Sequence, residues 1–378
     1  MLKILLIAPT FAISKNNRVQ AMMSAYKTAT NLSRHAHVIV LAAGDPPFYE
    51  HPEKNLEIYR LKNVYLKDPI NYMIPFSIFW HTIHIIQKEK PDVFLVNKFM
   101  FFNAFVIPLL KIMGKRVYTQ IDAFPSIDWK SRTPWIRPIM WVYLRLIGIP
   151  LLWMSDLVIL FHEGMTPIAQ RFHLNFQVIH NGVNMDELES VSCASDVEKK
   201  RLADIHIGFV GRLESMKGYD ILLQACQKIL PSYPQVKLFM VGNTKGKEYI
   251  VTEYQSAQIH FLDVRNDVAS ILKGIDIFVL PSFSEGLSNS LMEAMAAGCA
   301  CITMDKKGGN QILIEDGVTG LFASVGNPED LEQKLCYLIE HPDVRKRLGI
   351  NAKQRIQKQF NWNTIVHEYL RLFKKQYT

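Results

Sequence analysis

A strand, a turn and a helix follow one another directly in Ile275-Asp-Ile-Phe-Val-Leu-Pro-Ser-Phe-Ser-Glu-Gly-Leu-Ser-Asn-Ser-Leu-Met-Glu-Ala-Met-Ala-Ala-Gly298. The apolar, β-branched residues before Pro281 predict a buried strand. The Ala, Leu, Met and Glu residues that follow predict a helix ending at Gly298, with Ser288 or Asn289 as its N-cap. Such a helix start offers free backbone N–H groups and a positive dipole end to an anion, usually a phosphate.

Two glutamates flank this predicted anion site. Glu285 lies just before the helix and Glu293 lies about a turn and a half inside it. On a rise of about 1.5 Å per helical residue, eight residues place the two carboxylates roughly 10 Å apart. A nucleotide-sugar has this layout, with hydroxyls at both ends and a diphosphate in the middle. The alternative at this point is a surface helix with two solvated glutamates, because short motifs also match by accident.

Length and composition favour a two-domain α/β protein. The chain has 378 residues and 49% apolar content, enough for two cores, and strand and helix patterns alternate along it. Five cysteines without a C-x-x-C spacing are typical of a reducing cytosol. The apolar run in Met1–Pro9 is too short for a signal peptide and predicts a first strand. We therefore expect a cytoplasmic protein.

Positive charge is concentrated in the first half of the chain. Residues 1–180 contain 20 Lys and Arg against 11 Asp and Glu, whereas residues 181–360 contain 20 against 23. A basic surface suits nucleic acid or anionic lipid. Since no nucleic-acid-binding motif accompanies the charge, we expect an anionic membrane as the partner and no nucleic acid.

Three apolar segments bear on that expectation. Ile70–Lys90 and Phe99–Met113 are too short to span a bilayer and are either buried helices or helices in the membrane interface. Pro138–Ser155 is interrupted by Arg145, Gly148 and Pro150, and the strand Leu157–Phe161 follows it at once. We expect it to be a packed helix rather than a membrane span.

The loop after the first strand is the first candidate for ligand binding. Leu2–Ala8 predicts a central parallel strand, and open α/β sheets bind ligands at the carboxyl ends of their strands. This loop holds Ser14, Lys15, Asn16 and Asn17 but no glycine, so the dinucleotide fingerprint G-x-G-x-x-G is absent. A helix over about 19–34 and a strand over 37–43 continue the alternation.

Cations follow the first strand of the second half. The strand Ile205–Val210 leads into the turn Gly211–Gly218, which contains Arg212 and Lys217. A guanidinium and an ammonium at the end of a strand suit a diphosphate, although either one alone could be an ordinary solvated cation. Asp220 is predicted to cap the helix that follows.

Further strand ends add to the same predicted edge of the sheet. Lys237–Val241 and His260–Leu262 predict strands with ligand-facing turns, and Lys307–Asn310 is another turn near them. The sequence contains no D-x-D pair and no metal-ligand spacing of His, Cys and Asp. We therefore expect no metal: the two cations and the helix dipole would hold the diphosphate.

In combination these motifs resemble the retaining GT-B glycosyltransferases of family 4. The resemblance rests on Gly211-Arg212 with Lys217-Gly218, on Glu285-x7-Glu293, on Glu315–Leu321 and on the terminal Phe360-Asn-Trp362. It implies an α/β fold of GT-B type, with two Rossmann-like domains facing across a cleft and a C-terminal helix crossing back to the N-terminal domain. The implied division is an acceptor-binding domain over 1–182 with the helix 361–378, a linker over 183–204 and a nucleotide-sugar-binding domain over 205–360.

The resemblance also implies roles for single residues. The donor-binding set is Gly211, Arg212, Lys217, Val264, Arg265, Glu285, Gly286, Leu287, Ser288 and Glu293. The catalytic candidates are Glu285, Arg212, Lys217 and Asp122, and the acceptor-side candidates are Ser14, Lys15, Asn16, Asn17 and Asp122. The departures from the family pattern fall mainly on the acceptor side, since Val117–Asp122 keeps only the aspartate of the family's histidine–aspartate pair.

The expected activity is a retaining, metal-independent hexosyl transfer from a UDP- or GDP-linked sugar, with no further cofactor. The expected acceptor is lipid-linked or a saccharide in cell-surface polysaccharide or glycolipid synthesis, on the inner membrane face. Two alternatives are a UDP-sugar 2-epimerase of similar architecture, which the spacing of Glu285 and Glu293 does not favour, and a non-catalytic, membrane-docked scaffold.

Overall fold

The computed structural model describes residues 1–10, 24–44, 47–66, 72–125, 127, 135–198, 203–283, 285–305 and 308–375. The chain divides into two compact units, Met1–Asn181 with Val366–Thr378, and Gly182–Ile365. Each unit holds a largely parallel β-sheet with helices packed against it.

The first unit is built on a sheet whose order among the described strands is β10-β9-β8-β7-β1-β2-β4-β3. Neighbouring strands are parallel except at β3 and β4, and β5 and β6 form a separate hairpin. The central strands carry continuous apolar runs because both of their faces are buried. The strands are β1 Lys3–Thr10, β2 His37–Ala43, β3 Phe48–Glu53, β4 Leu56–Leu61, β5 Val64–Leu66, β6 Tyr72–Ile74, β7 Val93–Asn97, β8 Val117–Ile121, β9 Leu157–Leu160 and β10 Phe176–Val178.

The helices of the first unit show how far two of the three apolar segments, Phe99–Met113 and Pro138–Ser155, are buried. Phe99–Met113 contains α3, Val106–Ile112, whose Val106, Ile107 and Leu110 are buried in the core of the first unit, whereas Ile112 is exposed. A π-helical turn, Leu144–Gly148, joins α4 to α5, and the strand β9 follows as predicted. The prediction of a packed helix is wrong for α4, which has no buried residue, because only residues from Leu144 onward reach the core. The helices are α1 Ser24–Leu32, α2 Ile78–Glu89, α3 Val106–Ile112, α4 Ile136–Tyr143, α5 Ile149–Met154 and α6 Thr166–Arg171.

The second unit has a wholly parallel sheet of order β13-β12-β11-β14-β15-β16 among its described strands. The chain runs outward from β11 to one edge and then returns to build the other side from β14. This is the doubly wound order, in which ligands bind beyond the carboxyl ends of the two strands where the direction reverses. These two strands are β11 and β14. The strands are β11 Ile205–Val210, β12 Val236–Val241, β13 Ile259–Phe261, β14 Ile277–Leu280, β15 Ala300–Met304 and β16 Leu321–Ala323.

Two features of the second unit's helices differ from expectation. The described part of 183–204 is not a free linker, because Met185, Leu188 and Val197 belong to the second unit's core. Asp220 is not a cap, because Gly218 adopts a left-handed conformation and starts the helix at Tyr219. The helices are α7 Met185–Ser190, α8 Tyr219–Ile229, α9 Glu248–Tyr254, α10 Val268–Leu272, α11 Asn289–Ala297, α12 Asn310–Leu313, α13 Pro328–Glu340 and α14 Pro342–Gln359.

The last helix, α15 Trp362–Lys374, belongs to both units. Its first turn is held in the second unit, where the backbone N–H of Trp362 donates to the Val183 carbonyl at 3.1 Å. From Val366 onward it belongs to the first unit, where the Gln120 side-chain amide donates to the Tyr369 hydroxyl at 2.7 Å. The ring of Phe373 contacts the ring of Tyr118 in the same core. This is the crossing helix that the resemblance predicted.

Candidate active site

The two loops at the point where the strand order reverses are joined to each other. β11 and β14 are neighbouring strands, so the turn Gly211–Gly218 and the segment after Leu280 leave the sheet side by side. The Phe283 N–H donates to the Met216 carbonyl at 3.0 Å. The described parts of both loops therefore form one surface at the carboxyl edge of the second sheet.

Close backbone contacts at three glycines hold this surface together. A Cβ on Gly218, whose φ is +65°, would lie 2.0 Å from the Pro281 carbonyl oxygen. A Cβ on Gly242 would lie 2.0 Å from the carbonyl oxygen of Gly211, and one on Gly309 would lie 2.4 Å from that of Gly286. No side chain fits at such distances. The turns after β11, β12, β14 and β15 therefore meet at one place; Lys307 lies outside the described residues.

Two predicted catalytic residues, Lys217 and Glu285, form an ion pair on this surface. The Lys217 ammonium donates to Glu285 Oε1, and both side chains are largely shielded from solvent. Because each charge stabilises the other, the pair fixes an ammonium and a carboxylate side by side at the edge of the sheet. The sequence predicted both residues as site residues but not their contact.

The helix α11 begins immediately after this pair and is capped as predicted. The Ser288 hydroxyl accepts from the Leu291 N–H at 3.5 Å, and Ser288 itself has an extended backbone. The helix ends at Gly298 with φ +89°. Glu293 lies half-buried within the helix. The helix start is thus confirmed, whereas the roles of Glu285 and Glu293 on either side of an anion stay predictions; Ser284 lies outside the described residues.

The other two cations that were predicted to bind the donor, Arg212 and Arg265, differ in how strongly they are held. Arg212 is exposed and makes an ion pair with Glu214 at 3.2 Å. Arg265 donates to both carboxylate oxygens of Asp267 at 2.9 and 2.8 Å and also pairs with Asp196. These carboxylates raise the pKa of Arg265 above its ordinary value. Its guanidinium therefore fixes the loop around Val264, whereas that of Arg212 lies in solvent.

The loop before Arg265 is also anchored. The Thr244 backbone N–H donates to Asp263 Oδ1 at 3.0 Å, and its hydroxyl donates to the same oxygen at 3.1 Å. The backbone hydrogen bond from Thr244 lowers the pKa of Asp263. Val264 follows with an exposed side chain. The exposed Val264 side chain thus offers an apolar surface on an anchored backbone, against which an aromatic ring of a ligand could stack.

The first unit carries a second group of polar residues at the carboxyl ends of its strands. Asp122 follows β8 and pairs with Lys98, which follows β7, at 2.8 Å. Glu163 and His180, which follow β9 and β10, form a 2.9 Å contact. Ser14, Lys15, Asn16 and Asn17, predicted to lie at the same edge, are outside the described residues. Asp122 therefore lies in a charged cluster on the first unit.

The sequence prediction missed His162 in this cluster. Its side chain is 5% exposed, its Nδ1 has no hydrogen-bond partner, and burial lowers its pKa. His162 follows β9 as Asp122 follows β8, and these strands are neighbours. Asp122 was selected by its resemblance to the family's histidine–aspartate pattern, which does not include His162, whereas a search for polar residues just after buried strands would have found both.

The described residues contain no group of three or more His, Cys, Asp or Glu side chains that could hold a metal ion. The groups that could contact a phosphate on the second unit are instead the Arg212 and Lys217 cations and the N–H groups at the start of α11. The arrangement can thus hold a diphosphate with carboxylates near both of its ends.

Comparison with known proteins places these features in context. Residues 194–355 match the family model of Glycosyl transferases group 1. An uncharacterized glycosyltransferase of Methanocaldococcus jannaschii is 24% identical over 98% of this chain and 98% of its own length. The N,N'-diacetylbacillosaminyl-diphospho-undecaprenol alpha-1,3-N-acetylgalactosaminyltransferase of Campylobacter jejuni is 37% identical over 32% of this chain and 31% of its own.

Solved structures share the fold over the full length. Sucrose-phosphate synthase from Thermosynechococcus elongatus has a TM-score of 0.76 at 18% identity, covering 100% of this chain and 99% of its own. Anabaena HepE, solved in complex with UDP, has a TM-score of 0.75 at 18% identity, covering 99% of this chain and 100% of its own.

Proposed function

We propose that this chain, a group 1 glycosyltransferase with the GT-B fold, moves a hexosyl unit from a nucleotide-sugar to a lipid-linked or saccharide acceptor. The observation that carries the proposal is the Lys217–Glu285 pair beside the start of α11, between the two strands where the sheet order reverses. In the proposed reaction the anomeric configuration is retained and the cations of the chain take the part of a metal.

The chemistry follows from where negative charge develops. As the bond between the anomeric carbon and the diphosphate breaks, the acceptor hydroxyl forms the new glycosidic bond on the same face and passes its proton to the departing phosphate oxygen. The leaving nucleoside diphosphate gains negative charge, which Arg212, Lys217 and the N–H groups of α11 stabilise. When the donor binds, the Lys217 ammonium donates to a phosphate oxygen as well as to Glu285. The Glu285 carboxylate can then accept hydrogen bonds from the sugar hydroxyls. Glu293 holds the ribose hydroxyls, and the backbone around Val264 and Arg265 meets the base.

The donor and acceptor classes are supported by the names of similar proteins. HepE was solved with UDP and with UDP-glucose, which favours a UDP-sugar over a GDP-sugar here. The Campylobacter relative is named for an undecaprenol-linked acceptor, which favours a lipid-linked one. We assign the acceptor to the first unit, where Asp122 orients it. The reaction would serve cell-surface polysaccharide or glycolipid synthesis at the cytoplasmic face of the membrane.

The test is a transfer assay with radiolabelled UDP- and GDP-hexoses and an undecaprenyl-diphosphate-linked acceptor. Glu285→Gln should lower turnover at least a hundredfold, because it removes the carboxylate from the sugar site. The matched control is Glu329→Gln, whose carboxylate pairs with Lys228 on the exposed side of the same unit and which should keep wild-type turnover.

The same assay separates the alternatives. An epimerised sugar without transfer would indicate a 2-epimerase. A wild-type chain that binds vesicles but forms no product from any donor would indicate a scaffold. Equal turnover of Glu285→Gln and wild type would contradict the proposed donor site.

A further inference from the structure

The helix formed by α4, the π-helical turn and α5 exposes an apolar face. Trp135, Ile139, Val142 and Leu146 recur at intervals of four, three and four residues and are 58%, 59%, 45% and 71% exposed. Residues at these intervals share one side of a helix. Large apolar side chains on an amphipathic helix normally face a core. Here they face outward, so this face requires another partner.

The β5–β6 hairpin extends this surface. Tyr72 of β6 lies beside Tyr143 of α4, and burial together with the neighbouring Tyr143 hydroxyl raises the pKa of Tyr72. All three residues of β5, Val64, Tyr65 and Leu66, are exposed. We call the side chains of Val64–Leu66 together with Trp135, Ile139, Val142 and Leu146 the apolar face. Contiguous exposed patches of this kind mark interaction sites.

Positive charge is carried by the helix that presents the apolar face. From residue 129 to residue 155 the sequence contains Lys130, Arg132, Arg137 and Arg145 and no Asp or Glu, although Lys130 and Arg132 lie outside the described residues. Arg137 and Arg145 are exposed, and the Arg145 guanidinium lies 4.3 Å from the centre of the Trp141 ring. Tryptophan rings with cations beside them are typical of helices that lie in the headgroup region of a bilayer.

We infer that the apolar face is the surface by which this protein docks on an anionic lipid bilayer, with α4 lying in the plane of the membrane. The inference deepens the proposed function, on which it rests, because a lipid-linked acceptor presents its diphosphate at that surface. It assigns the membrane contact to a helix that was expected to be packed, rather than to Ile70–Lys90 or Phe99–Met113.

Two other arrangements fit the structure less well. The helix Ile136–Met154 is long and apolar enough to cross a membrane. However, Ile149, Leu151 and Leu152 pack in the core of the first unit, and the central sheet resumes at Leu157. A symmetric dimer through the apolar face would bring Arg137 and Arg145 of two copies close together, and like charges repel. An anionic lipid surface instead complements the arginines.

The test is flotation of the full chain with vesicles of phosphatidylcholine alone or with about 30% phosphatidylglycerol. Binding should need the anionic lipid, weaken with salt and cause a blue shift of tryptophan fluorescence. Ile139→Ser with Leu146→Ser should weaken binding at least tenfold, and Arg145→Gln should weaken it severalfold on anionic vesicles. The matched control is Ile350→Ser, an exposed isoleucine on α14 of the second unit, which should bind as the wild type does.

The variants should keep the wild-type melting temperature and UDP-sugar binding, because the substituted side chains are exposed. Vesicle binding that the double variant retains in full, or no vesicle binding by the wild type, would overturn the inference. A concentration-dependent dimer that the double variant abolishes, without vesicle binding, would assign the apolar face to a second copy instead. If the chain transfers sugar but does not bind vesicles, only the membrane inference is wrong. If it binds vesicles but transfers no sugar, only the proposed function is wrong.

Discussion

Lys217 and Glu285 lie 68 residues apart in the chain but share one largely buried position. If the ammonium holds the donor diphosphate, Lys217→Ala removes that charge and leaves the Glu285 carboxylate to repel the phosphate. We expect the affinity for a UDP-sugar to fall at least tenfold in isothermal titration calorimetry.

Lys228→Ala is the matched control for this substitution. Lys228 also pairs with glutamates of the second unit, Glu329 and Glu332, but on its exposed surface. We expect it to leave UDP-sugar affinity unchanged. Equal affinity of the Lys217→Ala variant and the wild type would show that Lys217 only stabilises Glu285.

The burial of His162 predicts how the free energy of unfolding depends on pH. Burial lowers its pKa below the ordinary 6.5, so the folded chain keeps the imidazole neutral where the unfolded chain binds a proton. Well above pH 6.5 His162 leaves the free energy of unfolding unchanged, and as pH falls through 6.5 stability is lost, because the unfolded chain then binds a proton that the folded chain does not. Urea unfolding at pH 7.5 and 5.5 should show a smaller loss for His162→Gln than for wild type.

The control for this pH effect is His51→Gln, which removes an exposed imidazole from the first unit. It should keep the pH dependence of the wild type. If His162→Gln loses as much stability on acidification as the wild type, His162 is not held neutral by burial.

At the residue scale the sequence identified side chains but not their contacts. Lys217 and Glu285 lie in recognisable motifs. Their pairing, however, depends on β11 lying next to β14, and the local sequence pattern does not predict the order of strands in a sheet. His162 was missed because a histidine after a strand resembles many core histidines. Its burial and the missing partner of Nδ1 are visible only in three dimensions.

At the scale of elements, Gly218 links two loops through a close backbone approach. Alanine there would combine a positive φ with a Cβ 2.0 Å from the Pro281 oxygen. Gly246→Ala shares a positive φ, +77°, but meets no atom within 4 Å. We expect Gly246→Ala to cost about 1–2 kcal/mol of unfolding free energy and Gly218→Ala a further 1–3 kcal/mol, with loss of UDP-sugar affinity.

Denaturant unfolding and calorimetry on both variants measure the difference. Equal destabilisation of the two variants, with equal donor affinity, would contradict a tight contact between the loops after β11 and β14.

Regular elements were predictable where one pattern dominated. β11 and β2 match their predicted bounds because continuous apolar, β-branched runs between polar turns specify buried strands. The start of α8 was misplaced because the aspartate of its first turn resembles a cap, while Gly218 in a left-handed conformation begins the helix. The exposure of α4 was hidden because its composition matches that of a core helix.

At the scale of the whole molecule, the reversal in strand order of the second sheet decides where the donor is expected. Alternating strands and helices predicted parallel sheets, but the order β13-β12-β11-β14-β15-β16 depends on tertiary packing. The motif resemblance supplied what local pattern could not, since it implied two units and a helix returning to the first. The acceptor-side candidates that it implied, Ser14, Lys15, Asn16, Asn17 and Asp122, stay predictions, because the sequence departs from the family there.

Hydrogen–deuterium exchange of the full chain, with and without a saturating UDP-sugar, would show directly where the donor binds. We expect protection of the backbone amides in 211–218 and 286–293, which contact the diphosphate and the sugar, and weaker protection around Val264 and Arg265, which meet the base. Protection confined to other parts of the chain, with these two segments exchanging as in the free protein, would contradict the account.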